Sequence, residues 1–275
     1  MNLLNIPPSL SREEWLARRR LGIGGSDIAA VIGVDEHRTA VDVWYDKVHG
    51  TEETENEYLR AGRMLEPVVA EYYREETGLF PMRQQRRIYT QPAHPFAFGS
   101  PDYFLGTDGI LECKTTQKDI DDLPVAWFAQ VQWYMAMTGR QWADIAWLIR
   151  GLNFDHKRVT RDNDFITAAL EEGRSFWHDY VLTQTPPEPR TTGDVLKLHP
   201  NHADGLLEAS DAVYEAYLAL LEARSNARAW EDIQREHELA IKLALRDGEG
   251  FKRDNNILCT WRTDRKGSRR FLVKE

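Results

Sequence analysis

Phe96-Ala97-Phe98-Gly99-Ser100-Pro101-Asp102-Tyr103-Phe104-Leu105, then Gly106-Thr107-Asp108-Gly109, then Ile110-Leu111-Glu112-Cys113-Lys114-Thr115 is the stretch on which the fold turns. An aromatic apolar run, a glycine-bounded turn and a second apolar run read as a strand, its turn and the returning strand. Side chains alternate along a strand, so Glu112 and Lys114 share one face. Asp102 sits on the partner strand. Two carboxylates at such a hairpin offer hard oxygen donors to a divalent cation, and an amine beside them can orient water or neutralise charge on a phosphate. That is the pattern of metal-assisted phosphodiester chemistry. Glu112 and Lys114 could equally pair with neighbours as an ordinary strand ion pair. The rest of the chain has to decide between the two.

Composition narrows the classes. The chain has 275 residues, 42% of them hydrophobic, enough for a sizeable core. The segment Met1 to Leu16 lacks the apolar core of a signal peptide, and no window approaches the uninterrupted apolar run of about 18 residues that a membrane span needs. Cys113 and Cys259 are the two cysteines, neither a disulfide framework nor a zinc set, so a reducing cytoplasm is expected and Cys113 is expected to be an inert core thiol. A net charge of −9 and a pI near 5.5 exclude a protein that coats nucleic acid by bulk electrostatics. The charge is unevenly spread, however. Lys252, Arg253, Arg262, Arg265, Lys266, Arg269, Arg270 and Lys274 stand against Asp254 and Asp264, a local balance of +6. Arg83, Arg86 and Arg87 form a second basic group, and either group can be a solvated surface or a phosphate contact.

Helical and strand patterns alternate from Ser11 to about Leu182, as in α/β proteins. Ser11 and Glu14 form a capping box. Gly22-Ile23-Gly24-Gly25-Ser26-Asp27 then breaks the helical pattern before Ile28–Ile32 resumes it. Tyr58–Gly78 reads as a helix with Leu65, Val68, Val69 and Tyr72 on one face, kinked or started late by Pro67. Trp127–Gly139 is a helix ended by glycine, Trp142–Ile149 a central strand, Phe154–Val159 another strand, and Phe165–Tyr180 an amphipathic helix. Residues 183–193, with Pro186, Pro187 and Pro189, read as a linker. Residues 194–275 read as an appendage, one long or two shorter helices followed by a basic β-hairpin. Trp127, Trp133, Trp142 and Trp147 read as core rather than as platforms for bases.

Five motifs in order, Arg19-Arg20-Leu21-Gly22-Ile23-Gly24-Gly25-Ser26-Asp27, Gly62-Arg63-Met64-Leu65-Glu66-Pro67, Ser100-Pro101-Asp102, Glu112-Cys113-Lys114 and Ala129-Gln130-Val131-Gln132-Trp133-Tyr134, resemble the lambda-exonuclease or YqaJ-type viral recombinase family, over roughly residues 11 to 182. That family belongs to the PD-(D/E)xK nucleases, whose signature is similar to Pro101-Asp102, nine intervening residues and Glu112-x-Lys114. The resemblance implies an α/β (α+β), restriction-endonuclease-like core over residues 1–182, with a mixed central sheet flanked by helices.

It also implies roles. Asp102, Glu112 and the backbone carbonyl of Cys113 would bind Mg²⁺ or Mn²⁺, with Glu66 completing the acidic cluster. Two such ions, about 4 Å apart, can stabilise the attacking and leaving oxygens of an in-line displacement. Lys114 would activate the attacking water. Arg19, Ser26 and Ser100 would hold the terminal 5′-phosphate of DNA, with Arg20 as the neighbouring alternative to Arg19. Gln130 and Tyr134, four apart on one helix face, resemble the Gln-x-x-x-Tyr element of related nucleases, with Gln132 as the alternative glutamine. Arg265, Lys266, Arg269 and Arg270 of the basic tail are candidate DNA contacts. The expected activity is Mg²⁺-dependent 5′-to-3′ digestion of double-stranded DNA that leaves a 3′ single strand for recombination, by a phage or prophage protein in the bacterial cytoplasm. A homotrimeric ring and a single-strand annealing partner are implied in the same way. A structure-specific endonuclease and a non-catalytic recombination scaffold are the alternatives.

Overall fold

In the computed structural model, which describes residues 2–4, 12–50, 57–84, 87–202 and 204–274, the strand that carries Glu112 and Lys114 lies at the centre of a sheet. The elements of the first compact unit, Met1–His202, follow in chain order. They are β1 (Asn2–Leu4), α1 (Arg12–Arg19), α2 (Gly25–Val31), α3 (Ala40–His49), α4 (Glu57–Thr77), β2 (Pro81–Arg83), β3 (Ile88–Gln91), β4 (His94–Gly99), β5 (Tyr103–Leu105), β6 (Gly109–Thr116), α5 (Val125–Thr138), β7 (Trp142–Ile149), β8 (Asn153–Thr160), α6 (Asn163–Ser175) with a π-helical turn at Phe176–Val181, and α7 (Thr192–Leu198). Among the described residues, one mixed sheet has the order β2-β5-β6-β7-β8, parallel only between β6 and β7. A smaller antiparallel sheet has the order β1-β3-β4. Ser11 and Arg86 lie outside the described residues.

The hairpin turn and the strand 110–115 form as expected, but the run 96–105 is not one strand. It divides at Ser100-Pro101, with β4 in the small sheet and β5 in the large one. Pro101 has no N–H for a ladder, so the chain changes sheet there. Asp102 then makes different bonds. Its backbone carbonyl accepts from the Gln84 N–H at 3.0 Å and its carboxylate from the Cys113 N–H at 2.9 Å.

The period-2 alternation of β6 and β7 feeds two cores. Ile110, Ile145 and Trp147 pack toward α2, α5 and α6, and Leu111, Ala146 and Leu148 toward α4. On α4 the buried stripe is Val69, Ala70 and Tyr73. Val68 and Tyr72, expected on the inner face, are 41% and 42% exposed. The helix runs through Pro67 without ending, so the carbonyl of Arg63 cannot take the usual helical bond from that position. α5 is buried from Ala129 to Thr138 and stops at Gly139, whose φ of 75° closes it in the left-handed region. Trp133, buried in its centre, donates Nε1–H to the carbonyls of Ile23 and Phe98 at 3.2 and 3.1 Å. It thereby clamps the glycine-rich loop to β4 beside the parallel bridge Ile23–Ala97.

The expected linker is only partly one. α7 is capped by Thr191 and Asp194, and the Thr39 hydroxyl donates to Asp194 at 2.6 Å while Lys197 pairs with Asp42. These polar bonds hold residues beyond 182 on α3, so the first unit extends to His202. Among its described residues the second unit, Ala203–Glu275, contains one helix, α8 (Asp211–Leu245), and the strands β9 (Gly250–Arg253), β10 (Asn256–Thr263) and β11 (Arg269–Val273). β9 adds a third strand to the expected hairpin. Among the described residues no helix is long and apolar enough to cross a membrane.

Candidate active site

Glu112 and Lys114 leave β6 on the face that α5 covers, and there they meet Gln130. Lys114 Nζ donates to Glu112 Oε1 at 2.9 Å and to Gln130 Oε1 at 2.7 Å. Gln130 Nε2 donates to the same Glu112 oxygen at 2.7 Å and to the Tyr134 hydroxyl at 2.9 Å. The strand ion pair read from the sequence therefore exists, inside a larger network. Gln132, the alternative glutamine, faces elsewhere and bonds the carbonyl of Thr160 and the N–H of Asp162. Its role is to fix the α5–β8 junction.

The second oxygen, Glu112 Oε2, is buried and has no hydrogen-bond partner among the described residues. An acceptor left in that state costs about 1–3 kcal/mol, and more when charged. Asp102 is a second strained acid: burial, then the charges of Glu112 and Glu66, push its carboxyl well above the usual range. Glu66, on α4, has a side chain 22% exposed and pairs with Arg83 at 3.3 Å. Burial and the charge of Glu112 still raise its carboxyl against the pull of Arg83 and Tyr103. Like charges gathered with an orphaned oxygen fit a cation. The donors are all oxygen, which suits Mg²⁺ or Mn²⁺. Burial and the same acids push the Cys113 thiol well up, so this residue has its carbonyl rather than a thiolate to offer. Among the described residues no three His, Cys, Asp or Glu side chains form a ready cage, so a cation here would need oxygens beyond the side chains of Asp102 and Glu112.

The glycine-rich loop lies on the other side of Tyr134. A Cβ on Gly25 would stand 2.3 Å from the Tyr134 ring, so only glycine admits this approach. Next to it, the Arg19 guanidinium donates to Ser26 Oγ at 2.7 Å. Arg20 instead lies 4.0 Å from Asp46, which separates the two adjacent arginines. Ser100 is half-buried in the crossing between β4 and β5. Tyr134 is buried, and its phenol is pushed well up by burial and by Glu112 and Asp102, against the effects of Gln130 and Arg19. It therefore senses the acidic pair and the loop arginine together.

Sequence reasoning missed the group beneath that loop. Asp27, 2% exposed, accepts from Arg38 at 2.6 Å, Lys47 at 2.7 Å and the Gly24 N–H at 3.0 Å. The signal was present as Thr39-x-x-Asp42, a capping box that starts the helix carrying Lys47. Burial alone would raise the Asp27 carboxyl, but Lys47, Arg38 and Arg19 outweigh it and hold it far below the usual range. A carboxyl lowered by folding contributes stability that is complete above the unfolded value of about 3.9 and is lost as pH falls below it. Asp27→Asn should therefore lower the melting temperature at neutral pH and flatten its decline between about pH 4 and pH 2. Thermal melts across that range check this, and parallel curves for the two proteins would contradict it.

In the second unit the four basic candidates behave differently. Arg269 stacks on Trp261 and donates to the carbonyls of Arg246, Gly248 and Trp261, so its guanidinium is engaged in holding that unit together. Arg270 pairs with Asp264 at 3.0 Å while remaining 73% exposed. Arg265 and Lys266 are exposed on the turn between β10 and β11.

Residues 14–141 match the model of the YqaJ-like viral recombinase domain. The uncharacterized protein YqaJ of Bacillus subtilis (strain 168) is 30% identical over 262 residues, covering 88% of this chain and 81% of that protein. Among solved structures, the alkaline exonuclease LHK-Exo from Laribacter hongkongensis superposes with a TM-score of 0.52 at 24% identity, covering 63% of this chain and 94% of its own. LHK-Exo in complex with dAMP gives a TM-score of 0.53 at the same identity and coverage. The likeness to these two structures is one of fold.

Proposed function

The chain belongs to the YqaJ-like viral recombinase family, and from that premise we propose that it is a Mg²⁺-dependent exonuclease, with Mn²⁺ as the alternative ion, that digests double-stranded DNA 5′ to 3′ from 5′-phosphorylated ends. The observation that carries this reading is the convergence on Tyr134. Its hydroxyl bonds Gln130 of the Glu112–Lys114 network, and its ring packs against Gly25 beside the Arg19–Ser26 pair. A reacting phosphodiester and a terminal phosphate would then be read by one continuous surface.

Asp102, Glu112 and the Cys113 carbonyl would hold the cation, which when bound supplies Lewis-acid stabilisation of charge on the phosphate oxygens. Lys114 Nζ, pinned between Glu112 Oε1 and Gln130 Oε1, orients the attacking water. Gln130 keeps Lys114 and Glu112 in register through its two ends. Glu66 adds negative charge at the rim, moderated by Arg83. Arg19, Ser26 and Ser100 receive the 5′-phosphate and so set which end of the strand enters.

Under the same reading the active form is a homotrimeric ring around the duplex, working with a single-strand annealing protein in the cytoplasm of a phage-bearing host. A monomeric mass in solution would count against the ring.

Linear duplexes that differ only in a 5′-phosphate or 5′-hydroxyl test the proposal. The phosphorylated end should be digested at least about tenfold faster, as expected for loss of one or two charge-assisted bonds, with mononucleotides released from the 5′ side. Equal digestion, or activity that persists in EDTA, would contradict the mechanism. Cutting of covalently closed circles would point to an endonuclease instead.

A further inference from the structure

We propose that Lys47 is a positioning residue for recognition of the terminal phosphate: from beneath the loop it fixes Arg19 and Asp27 so that Arg19 and Ser26 present one pocket. The inference rests on the reading of that pair as the 5′-phosphate site.

Lys47 has a side chain only 2% exposed. A buried ammonium is costly unless fully paired, and this one is paired twice. It donates to Asp27 Oδ2 at 2.7 Å and to the backbone carbonyl of Arg19 at 3.2 Å. The Phe98 ring lies 5.9 Å away and closes one side. A single ammonium thus joins the last residue of α1 to the residue that follows Ser26 on α2. Those are the two points that must be held for the Arg19 guanidinium to reach Ser26 Oγ at 2.7 Å. Arg38 takes the other Asp27 oxygen, so the carboxylate is bound on both sides.

Charge gives the pocket its chemical preference. Arg19, Arg38 and Lys47 bear on Asp27, while Asp46 and Asp42 also bear on Arg38, so cations and carboxylates are interleaved beneath the loop. A terminal phosphate monoester carries about −1.5 to −2 at neutral pH, whereas a diester in the chain carries only about −1. A guanidinium held at Ser26 therefore attracts an end more strongly than an internal phosphate. Lys47 itself is too buried to touch DNA and acts through Arg19.

Steady-state digestion by the full chain in Mg²⁺, on duplexes bearing 5′-phosphate or 5′-hydroxyl, tests this. Lys47→Met keeps the aliphatic stem and removes the charge. It should raise KM on the phosphorylated duplex about tenfold with kcat within about twofold, and shrink the preference for phosphate by the same factor. Lys47→Arg should restore part of that preference. Because Lys47→Met leaves Asp27 with one cation fewer, the double variant Lys47→Met/Asp27→Asn is measured beside it, with thermal melts confirming that it is folded. A folded variant that keeps the wild-type preference, or that loses kcat equally on both duplexes, overturns the positioning role. Wild-type protein without any preference would instead overturn the phosphate-site reading, and this inference with it.

Discussion

Asp102→Asn is expected to reduce hydrolysis of 5′-phosphorylated duplex by at least about a thousandfold, ~4 kcal/mol of transition-state stabilisation, while leaving end binding in place. The substitution preserves shape, and the amide oxygen can still accept from the Cys113 N–H that the carboxylate holds at 2.9 Å. What it removes is a negative donor. It also removes a liability of the fold. The Asp102 carboxyl is raised by burial and by Glu112 and Glu66, so the folded state retains a proton that the unfolded chain releases. The sign follows: as pH climbs above the unfolded value of about 3.9, ionising this group costs stability. In EDTA at neutral pH the variant should therefore melt higher than wild type, the trade-off typical of a site built for charge. Gel-based cleavage, end-binding assays and melts of the metal-free protein check the three parts. Retained cleavage, or a lowered melting temperature with cleavage intact, would make Asp102 a structural residue.

Trp133→Ala carries the largest expected effect on stability. The indole is 1% exposed and lies against Gly173, where an added Cβ would stand 3.0 Å from the ring. Truncation leaves a cavity and strips the Ile23 and Phe98 carbonyls of their shared donor. Such changes cost about 3–5 kcal/mol, or a fall in melting temperature of about 6–20 °C for a unit of this size. Function should suffer at the same place. Ile23 leads into the Gly24–Ser26 loop and Phe98 leads into Ser100, so the variant that remains folded at low temperature should discriminate less between phosphorylated and hydroxyl ends. Trp133→Phe should lose less stability and still lack the donor. Calorimetry on both variants, with the paired-duplex assay, separates packing from clamping. A fall of less than about 2 °C for Trp133→Ala would show that the core does not depend on this clamp.

How much was legible in the sequence follows from which forces act locally. The turn at Gly106–Gly109 and the shared face of Glu112 and Lys114 depend on neighbouring residues and on strand alternation, so both could be read directly. The split at Ser100-Pro101 could not, because a proline announces a missing donor without saying that the chain will enter another sheet. The inner face of α4 was misjudged by one position, since Val68 and Tyr72 look as apolar as Val69 and Tyr73 and only the packing partner decides. The Asp27, Arg38 and Lys47 cluster joins residues from three separate segments, and ion pairs of that span leave no periodic trace. One local signal was nevertheless available twice. Thr39-x-x-Asp42 and Thr191-x-x-Asp194 are capping boxes, and reading them would have revealed both α3 and α7, hence the buried lysine and the extension of the first unit. The acidic centre was readable as a list of residues. That one oxygen of Glu112 is satisfied and the other orphaned required the fold.

The most direct test of the central claim is a crystal grown with Mn²⁺ and a 5′-phosphorylated duplex, measured for anomalous scattering. The account predicts a peak in contact with Asp102, with the orphaned Oε2 of Glu112 and with the Cys113 carbonyl, and the terminal phosphate against Arg19 and Ser26. No peak at those three oxygens, in crystals whose protein still digests DNA, would contradict it.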